Sequence, residues 1–231
     1  MYNPFHFIDI YATKGIEYLW VLAYLAVFVP FIMFLRKPAE ETALQPALKP
    51  ALASWLDLPK KLFYHLGHAW AAMGTDGTVK IGMDAFARML VGRVNGLEVP
   101  QVGQVVAQGE PAWRMQAGNK AVSMVSPVDG EVVEVNEKLL HAPHILDEDT
   151  YDNGWLFKVR PSRLHANLRN LLNADKAGQW TREAMDNLFA SQESQLGMVY
   201  QDGGQPVDGI TRAMDPENWD KIAAKYFLTD K

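Results

Sequence analysis

One stretch limits what this chain can fold into more than any other. From Tyr18 to Leu35 it reads YLWVLAYLAVFVPFIMFL, with no charged side chain. As a helix rising 1.5 Å per residue, the run spans about 27 Å, close to the roughly 30 Å hydrocarbon core of a bilayer. Tyr18 and Trp20 stand near one end, where amphipathic aromatics favour the headgroup level. Pro30 lies inside the run, and a membrane helix tolerates it with a mild kink. A cleaved signal peptide has a shorter apolar stretch, a basic lead-in and small residues at its end. Here Asp9 and Glu17 precede the run, and Phe34-Leu35-Arg36-Lys37 closes it. The expectation is an uncleaved single-pass transmembrane helix at about 18–35, within an N-terminal segment 1–37. Only Lys14 lies on its N-terminal side, against Arg36, Lys37, Lys49, Lys60 and Lys61 beyond it. That bias puts the soluble part on the cytoplasmic face of the cell (inner) membrane.

The remainder of the 231 residues suffices for one soluble domain. The formal net charge of −5 leaves no excess of Lys/Arg to neutralise phosphates, which argues against nucleic acid as a partner. The chain has no cysteine. Disulfides, thiolate catalysis, Cys-ligated zinc and iron–sulfur ligation within it are thereby excluded.

Residues 38–64 divide into a Pro/Ala-rich linker (PAEETALQPALKPALA, 38–53) and an amphipathic segment. The segment SWLDLPKKLFYHL, 54–66, mixes Trp55, Leu56, Leu58, Leu62, Phe63 and Tyr64 with Lys60 and Lys61. It suits an anionic lipid surface, a partner subunit, or the lead-in to the domain.

From about residue 65 the texture changes to short β-type runs: Thr78–Gly82, Gly92–Val94, Val102–Val106, Ala121–Val125 and Glu131–Val135. Turn signals separate them at Asp76-Gly77, Asn95-Gly96, Gly118-Asn119 and Asp129-Gly130. Many short strands at this spacing imply a small barrel or sandwich. One helix interrupts them, Asp84 to Leu90, with Asp84 as its N-cap. Pro127 with Asp129-Gly130 makes a tight turn that launches a strand, the glycine taking the positive φ. The stretch Gly154-Trp155-Leu-Phe157-Lys-Val159 alternates like a strand that buries Trp155 and Phe157 on one face.

The order of these features resembles the H protein of the glycine cleavage system. The likeness begins at His68-Ala-Trp70 and continues through Val79-Lys-Ile-Gly-Met-Asp84-Ala-Phe-Ala87 and Leu97-Glu-Val-Pro100-Gln-Val-Gly103. Its strongest part is Ser126-Pro-Val-Asp-Gly130-Glu-Val-Val-Glu-Val-Asn136, followed by Gly154-Trp155-Leu-Phe-Lys-Val159. The resemblance covers roughly residues 65–175. It implies a mainly β fold with α additions, a barrel-sandwich hybrid related to lipoyl and biotinyl carrier domains.

In that family the function rests on one lipoylated lysine at a hairpin tip, just before the Ser/Ala-Pro-Val turn. The matching segment here is Met115-Gln-Ala-Gly118-Asn119-Lys120-Ala-Val-Ser-Met-Val-Ser-Pro127. Counting back from Pro127 by the family's interval lands on Asn119, and Lys120 reaches the position only if the hairpin is one residue shorter. Gly118-Asn119 can close a two-residue loop by itself. Two readings follow. In one, the hairpin survives as scaffold and the chain has no cofactor. In the other, Lys120 carries lipoate as a membrane-tethered lipoyl carrier.

The pairs His65/His68 and His141/His144 have helical i, i+3 spacing, but two histidines without further ligands make a poor metal site. The run Asp147-Glu148-Asp149 reads as a solvated loop. No Gly-rich phosphate loop, nucleophile elbow or paired-carboxylate motif is present, so no catalytic, cofactor-binding or metal residue is assigned and no enzyme is expected. The C-terminal extension, 176–231, is mainly helical. Helices are expected over 162–175 and 176–195, the first with a stripe of Leu164, Leu168, Leu171 and Leu172, then a hairpin turning at Gly203-Gly204. A last helix begins at Asp215-Pro216-Glu217 and runs to about Phe227. Taken together, the sequence alone favours a degenerate, non-catalytic scaffold, an accessory subunit docked on integral membrane proteins of an electron-transfer complex. The tethered lipoyl carrier is the alternative.

Overall fold

The computed structural model describes residues 10–35, 58–190 and 208–230. It forms two units, Met1–Pro46 and Ala47–Lys231. The linker 38–53 and the expected turn at Gly203-Gly204 lie outside the described residues.

The first unit contains helix α1, Ile10–Leu35, which starts eight residues earlier than the apolar run and includes Pro30. Its described side chains are those of residues 18–32, apolar on every face and exposed almost throughout, Trp20 and Val27 each at 73%. Among the described residues no helix is long and apolar enough to cross a membrane. The transmembrane assignment of about 18–35 is therefore not supported by the described residues.

In the second unit, strands β1 (Phe63–Tyr64), β2 (Ala69–Met73), β3 (Val79–Met83), β5 (Val105–Val106), β8 (Gly130–Val135) and β9 (Trp155–Pro161) form one sheet, ordered β1-β2-β3-β9-β8-β5. Strands β4 (Gly96–Glu98), β6 (Pro111–Ala117) and β7 (Lys120–Val125) form a second, ordered β4-β6-β7. All these pairings are antiparallel. Alternation explains the second sheet: Trp113, Met115 and Ala117 of β6 and Val122 and Met124 of β7 point inward, while Arg114 and Gln116 point out. Trp113 meets Phe157 edge to face at 5.6 Å, joining the two sheets through the core. The expected mainly β fold with helical additions holds in this unit.

Helix α2, Ala85–Val91, is capped by Asp84, whose Oδ1 accepts from the Ala87 amide at 2.8 Å. Gly92, at φ 72, ends it, so the expected strand Gly92–Val94 does not form; β4 begins at Gly96 instead. The expectation for Trp155 and Phe157 also fails. Ile81 faces Phe157 and Gly82 faces Trp155, leaving Leu156 unmatched as a bulge. The bulge resets the alternation: Leu156 and Phe157 both enter the main core, and Trp155 joins a separate cluster around Trp70 and Tyr64. Gly82 is required there, because a Cβ would lie 2.4 Å from the Trp70 indole.

Leu58 and Leu62 are buried in that same cluster with Ala177. The described part of the amphipathic segment is thus a lead-in packed on the domain. Short helices α3 (Glu137–His141) and α4 (Ile145–Glu148) follow β8. The first C-terminal helix, α5, is shorter than expected, Leu164–Arg169; Leu171 and Leu172 lie beyond it, and Leu172 bridges to Tyr64 as an isolated strand contact. Helix α6 runs from Ala174 to Ala190. Helices α7 (Ile210–Met214) and α8 (Trp219–Tyr226) complete the described chain. Asp215 does not cap α8 directly: its carboxylate accepts from the Glu217 and Asn218 amides in a turn, and Asn218 precedes the helix. Met185, Leu188, Ile210, Trp219, Ala223 and Phe227 all join the main core, so the extension completes it.

Candidate functional site

The hairpin β6–β7 closes in two residues, Ala117 facing Lys120 across Gly118 and Asn119. Gly118 has φ 64, and Asn119 is not left-handed, the pattern of a type II′ turn. The one irregularity of the hairpin lies between Pro111 and Trp113 on β6, far from the tip, so nothing shortens β7. Asn119 therefore occupies the tip, and Lys120 is the first strand residue beside it.

The Lys120 amine is engaged by the C-terminal extension. Its Nζ donates to the Glu217 carbonyl oxygen and, at 2.6 Å, to Asp220 Oδ1 in the first turn of α8. Both side chains are under a third exposed. Partial burial is the largest influence on the Asp220 carboxyl and pushes its pKa up. The Lys120 hydrogen bond and charge, with backbone donors, outweigh it and leave the carboxyl below its usual range. Asp215 is also lowered, chiefly by hydrogen bonds from Asn218, with a smaller contribution from Lys120. Sequence reading missed this acidic turn. The only signal was a carboxylate-rich helix start, one hundred residues from the lysine it meets.

Behind the hairpin, Asp129 organises the turn that launches β8. Its carboxylate accepts from the Gln108 amide at 2.8 Å, Asn167 Nδ2 at 2.8 Å and Arg163 Nε at 3.0 Å, with Arg163 Nη2 ion-paired at 2.8 Å. Burial pushes its pKa up, but these donors outweigh it and hold the carboxyl low. Gly130 does not have the positive φ expected of it. It is glycine because a Cβ would lie 2.5 Å from the Arg160 carbonyl oxygen.

Among the described residues no three or more His, Cys, Asp or Glu side chains converge as metal ligands, and His65 and His68 face different partners. His68 is fully buried, with Nδ1 2.8 Å from Asp84 Oδ2 and its ring stacked between Phe86 and Trp180. His65 Nδ1 accepts instead from the Gly67 amide at 3.0 Å. His141 closes α3, and His144 precedes α4. In the acidic run, Asp149 caps its own loop, accepting from the amides of Tyr151, Asp152 and Asn153, while Asp147 faces Arg88 at 3.4 Å.

A two-sheet carrier-type fold with a tight hairpin and an amine beside its tip defines a class, and comparison with known proteins narrows it. The family model for the glycine cleavage H-protein matches residues 62–184, just over half the chain. The chain belongs to the glycine cleavage H-protein family. It is 35% identical over 121 residues to a probable glycine cleavage system H protein of Thermococcus kodakarensis, covering 52% of this chain and 90% of that one. It is 43% identical over 108 residues to the glycine cleavage system H protein of Saccharophagus degradans, covering 47% of this chain and 83% of the relative. A crystal structure of a glycine cleavage system H protein from Mycobacterium marinum aligns with a TM-score of 0.47 and 30% identity, covering 53% of this chain and 98% of that one; membership rests on the sequence matches.

These matches overturn the expectation of a degenerate accessory subunit. Relatives named as H proteins align over most of their own length, and they favour the carrier alternative.

Proposed function

We propose that this chain is an H-protein-type carrier, not itself an enzyme, whose lipoyl group is amide-linked to Lys120. The carrying observation is the position of Lys120, the lysine adjoining the two-residue tip of the β6–β7 hairpin in a member of this family. The hairpin base is rigid, with one face buried in the core, so an arm attached at its tip swings from a fixed mount. The bound lipoyl group would supply a disulfide able to accept and release a transferred group. The protein's own part is to present the amine and to be recognised by the enzymes between which it shuttles.

Intact-mass analysis after incubation with a lipoate ligase, lipoate and ATP tests the proposal. One lipoyl adduct is expected, mapped to Lys120 and abolished by Lys120→Arg. An unmodified chain, or an adduct on another lysine, would overturn it.

The proposal extends to a bilayer. Residues 10–35 form one continuous helix whose last eighteen positions carry no charge. A helix apolar on all sides is stable only when surrounded by protein or lipid. We place the chain at the cell (inner) membrane, α1 lying against lipid or integral membrane partners that use the arm, with the carrier domain on the cytoplasmic side. Retention of the full chain in membrane vesicles through an alkaline carbonate wash is expected; release by that wash would refute the anchor.

A further inference from the structure

We infer that the C-terminal extension gates the Lys120 amine, with Asp220 as the latch; this rests on the carrier reading above. Acylation needs a neutral amine with a free lone pair. The Lys120 Nζ is instead held by two acceptors from one turn, the Glu217 carbonyl oxygen and Asp220 Oδ1. Both belong to the extension beyond residue 176, outside the strands that build the hairpin. Asp215 adds a second carboxylate on the same side, since Lys120 contributes to its lowered titration.

The gate is held firmly at other points. Thr211 Oγ1 donates to the Leu90 carbonyl at 2.6 Å, Arg212 Nη2 to Val91 O at 2.7 Å, and Thr229 Oγ1 to Ser123 O at 3.1 Å. Trp219, Ala223 and Phe227 are buried. The latch is therefore set by charge at the start of α8 rather than by loose drift of the whole extension.

Loading forms a C–N amide bond between the lipoyl carbonyl and Nζ. It breaks the C–O bond of an acyl adenylate, releases AMP, and sheds protons from the ammonium to solvent. Asp220 and the Glu217 carbonyl oxygen hold the N–H groups of this amine and keep its nitrogen turned toward α8, away from an incoming acyl group. Once the amide forms, the positive charge is gone and Asp220 loses its ion-pair partner. The first turn of α8 then differs between the empty and loaded protein, giving partners a surface on which to read the loading state.

The test separates chemistry from recognition. The full chain is treated with limiting acetic anhydride, and acetylation at Lys120 is compared with that at exposed Lys61 by peptide mapping. Asp220→Asn should raise the Lys120/Lys61 ratio by about three- to tenfold, while Asp220→Glu, which keeps the charge, should stay near wild type. Raised salt should increase the wild-type ratio in the same direction, without any substitution. Ratios unmoved by both Asp220→Asn and salt would overturn the gate. The ligase reaction is run in parallel. A lipoyl adduct on Lys120 with unmoved ratios keeps the carrier and removes the gate; raised ratios without any adduct keep the gate and remove the carrier.

Discussion

His65 makes the domain sensitive to acid in a way that one substitution isolates. The imidazole pKa falls from the ordinary 6.5 to about 4, first because burial disfavours the charged ring and second because His68 lies nearby. Its Nδ1 also accepts from the Gly67 amide, which uses the lone pair a proton would need. The unfolded chain therefore takes up a proton near the ordinary pKa while the folded chain resists. A depressed histidine pKa gives stability that is present above about 6.5 and is lost as the pH falls toward about 4. From about pH 7 to about pH 5 the linkage amounts to roughly 2 kcal/mol at full strength, and contact of the half-buried ring with solvent reduces it to about 1–2 kcal/mol. His65→Asn keeps an acceptor for Gly67, because Asn Oδ1 takes the place of Nδ1, and removes the titration. Urea unfolding of both proteins at the two pH values is the assay. The wild type should lose about 1–2 kcal/mol more than the variant over this interval; equal losses would refute the reasoning.

Gly82→Ala forces a methyl group into the Trp70 indole and should cost about 1–3 kcal/mol in a denaturant melt. Asp129→Ala removes the acceptor shared by Gln108, Asn167 and Arg163; a loss of about 2–3 kcal/mol is expected, smaller at low pH because the lowered wild-type carboxyl also loses its charge there. The paired exchange Asn119→Lys with Lys120→Asn moves the amine onto the turn and away from Asp220, and intact mass should show lipoylation at least as fast as in wild type. Thr211→Val leaves the Leu90 carbonyl without its donor and should lower stability by about 1–2 kcal/mol, read as a shift in thermal midpoint.

Features set by neighbouring residues were legible in the sequence. Asp84 caps its helix and Gly118-Asn119 closes the hairpin, as their residue types imply. Readings failed where the deciding partner lies far along the chain. The bulge at Leu156 is imposed by pairing with β3, and it moves Trp155 to a different cluster from Phe157. Gly130 looked like a turn residue, but its glycine is demanded by the Arg160 backbone on the neighbouring strand. At the candidate site Lys120 was legible as the only nearby amine; its capture by Asp220 was not, because no local pattern links a hairpin to a helix one hundred residues later. The weight first given to Asn119 at the tip led toward a scaffold, a direction the family comparison reversed.

The glycine that ends α2 reaches further than its own turn. A Cβ on Gly92 would lie 2.7 Å from the Cα of Gly209, where the chain re-enters to begin α7, and both residues have positive φ. Two backbones meet there with no side chain between them, so the seam has no room for a Cβ at position 92, while at Gly209 only the positive φ favours glycine. The extension that α7 leads is the same one that carries Asp220. Position 92 thus bears on Lys120 from a distance: a variant there would loosen the seam that seats α7 and, beyond it, the turn that holds the Lys120 amine, while leaving the hairpin's own sequence untouched.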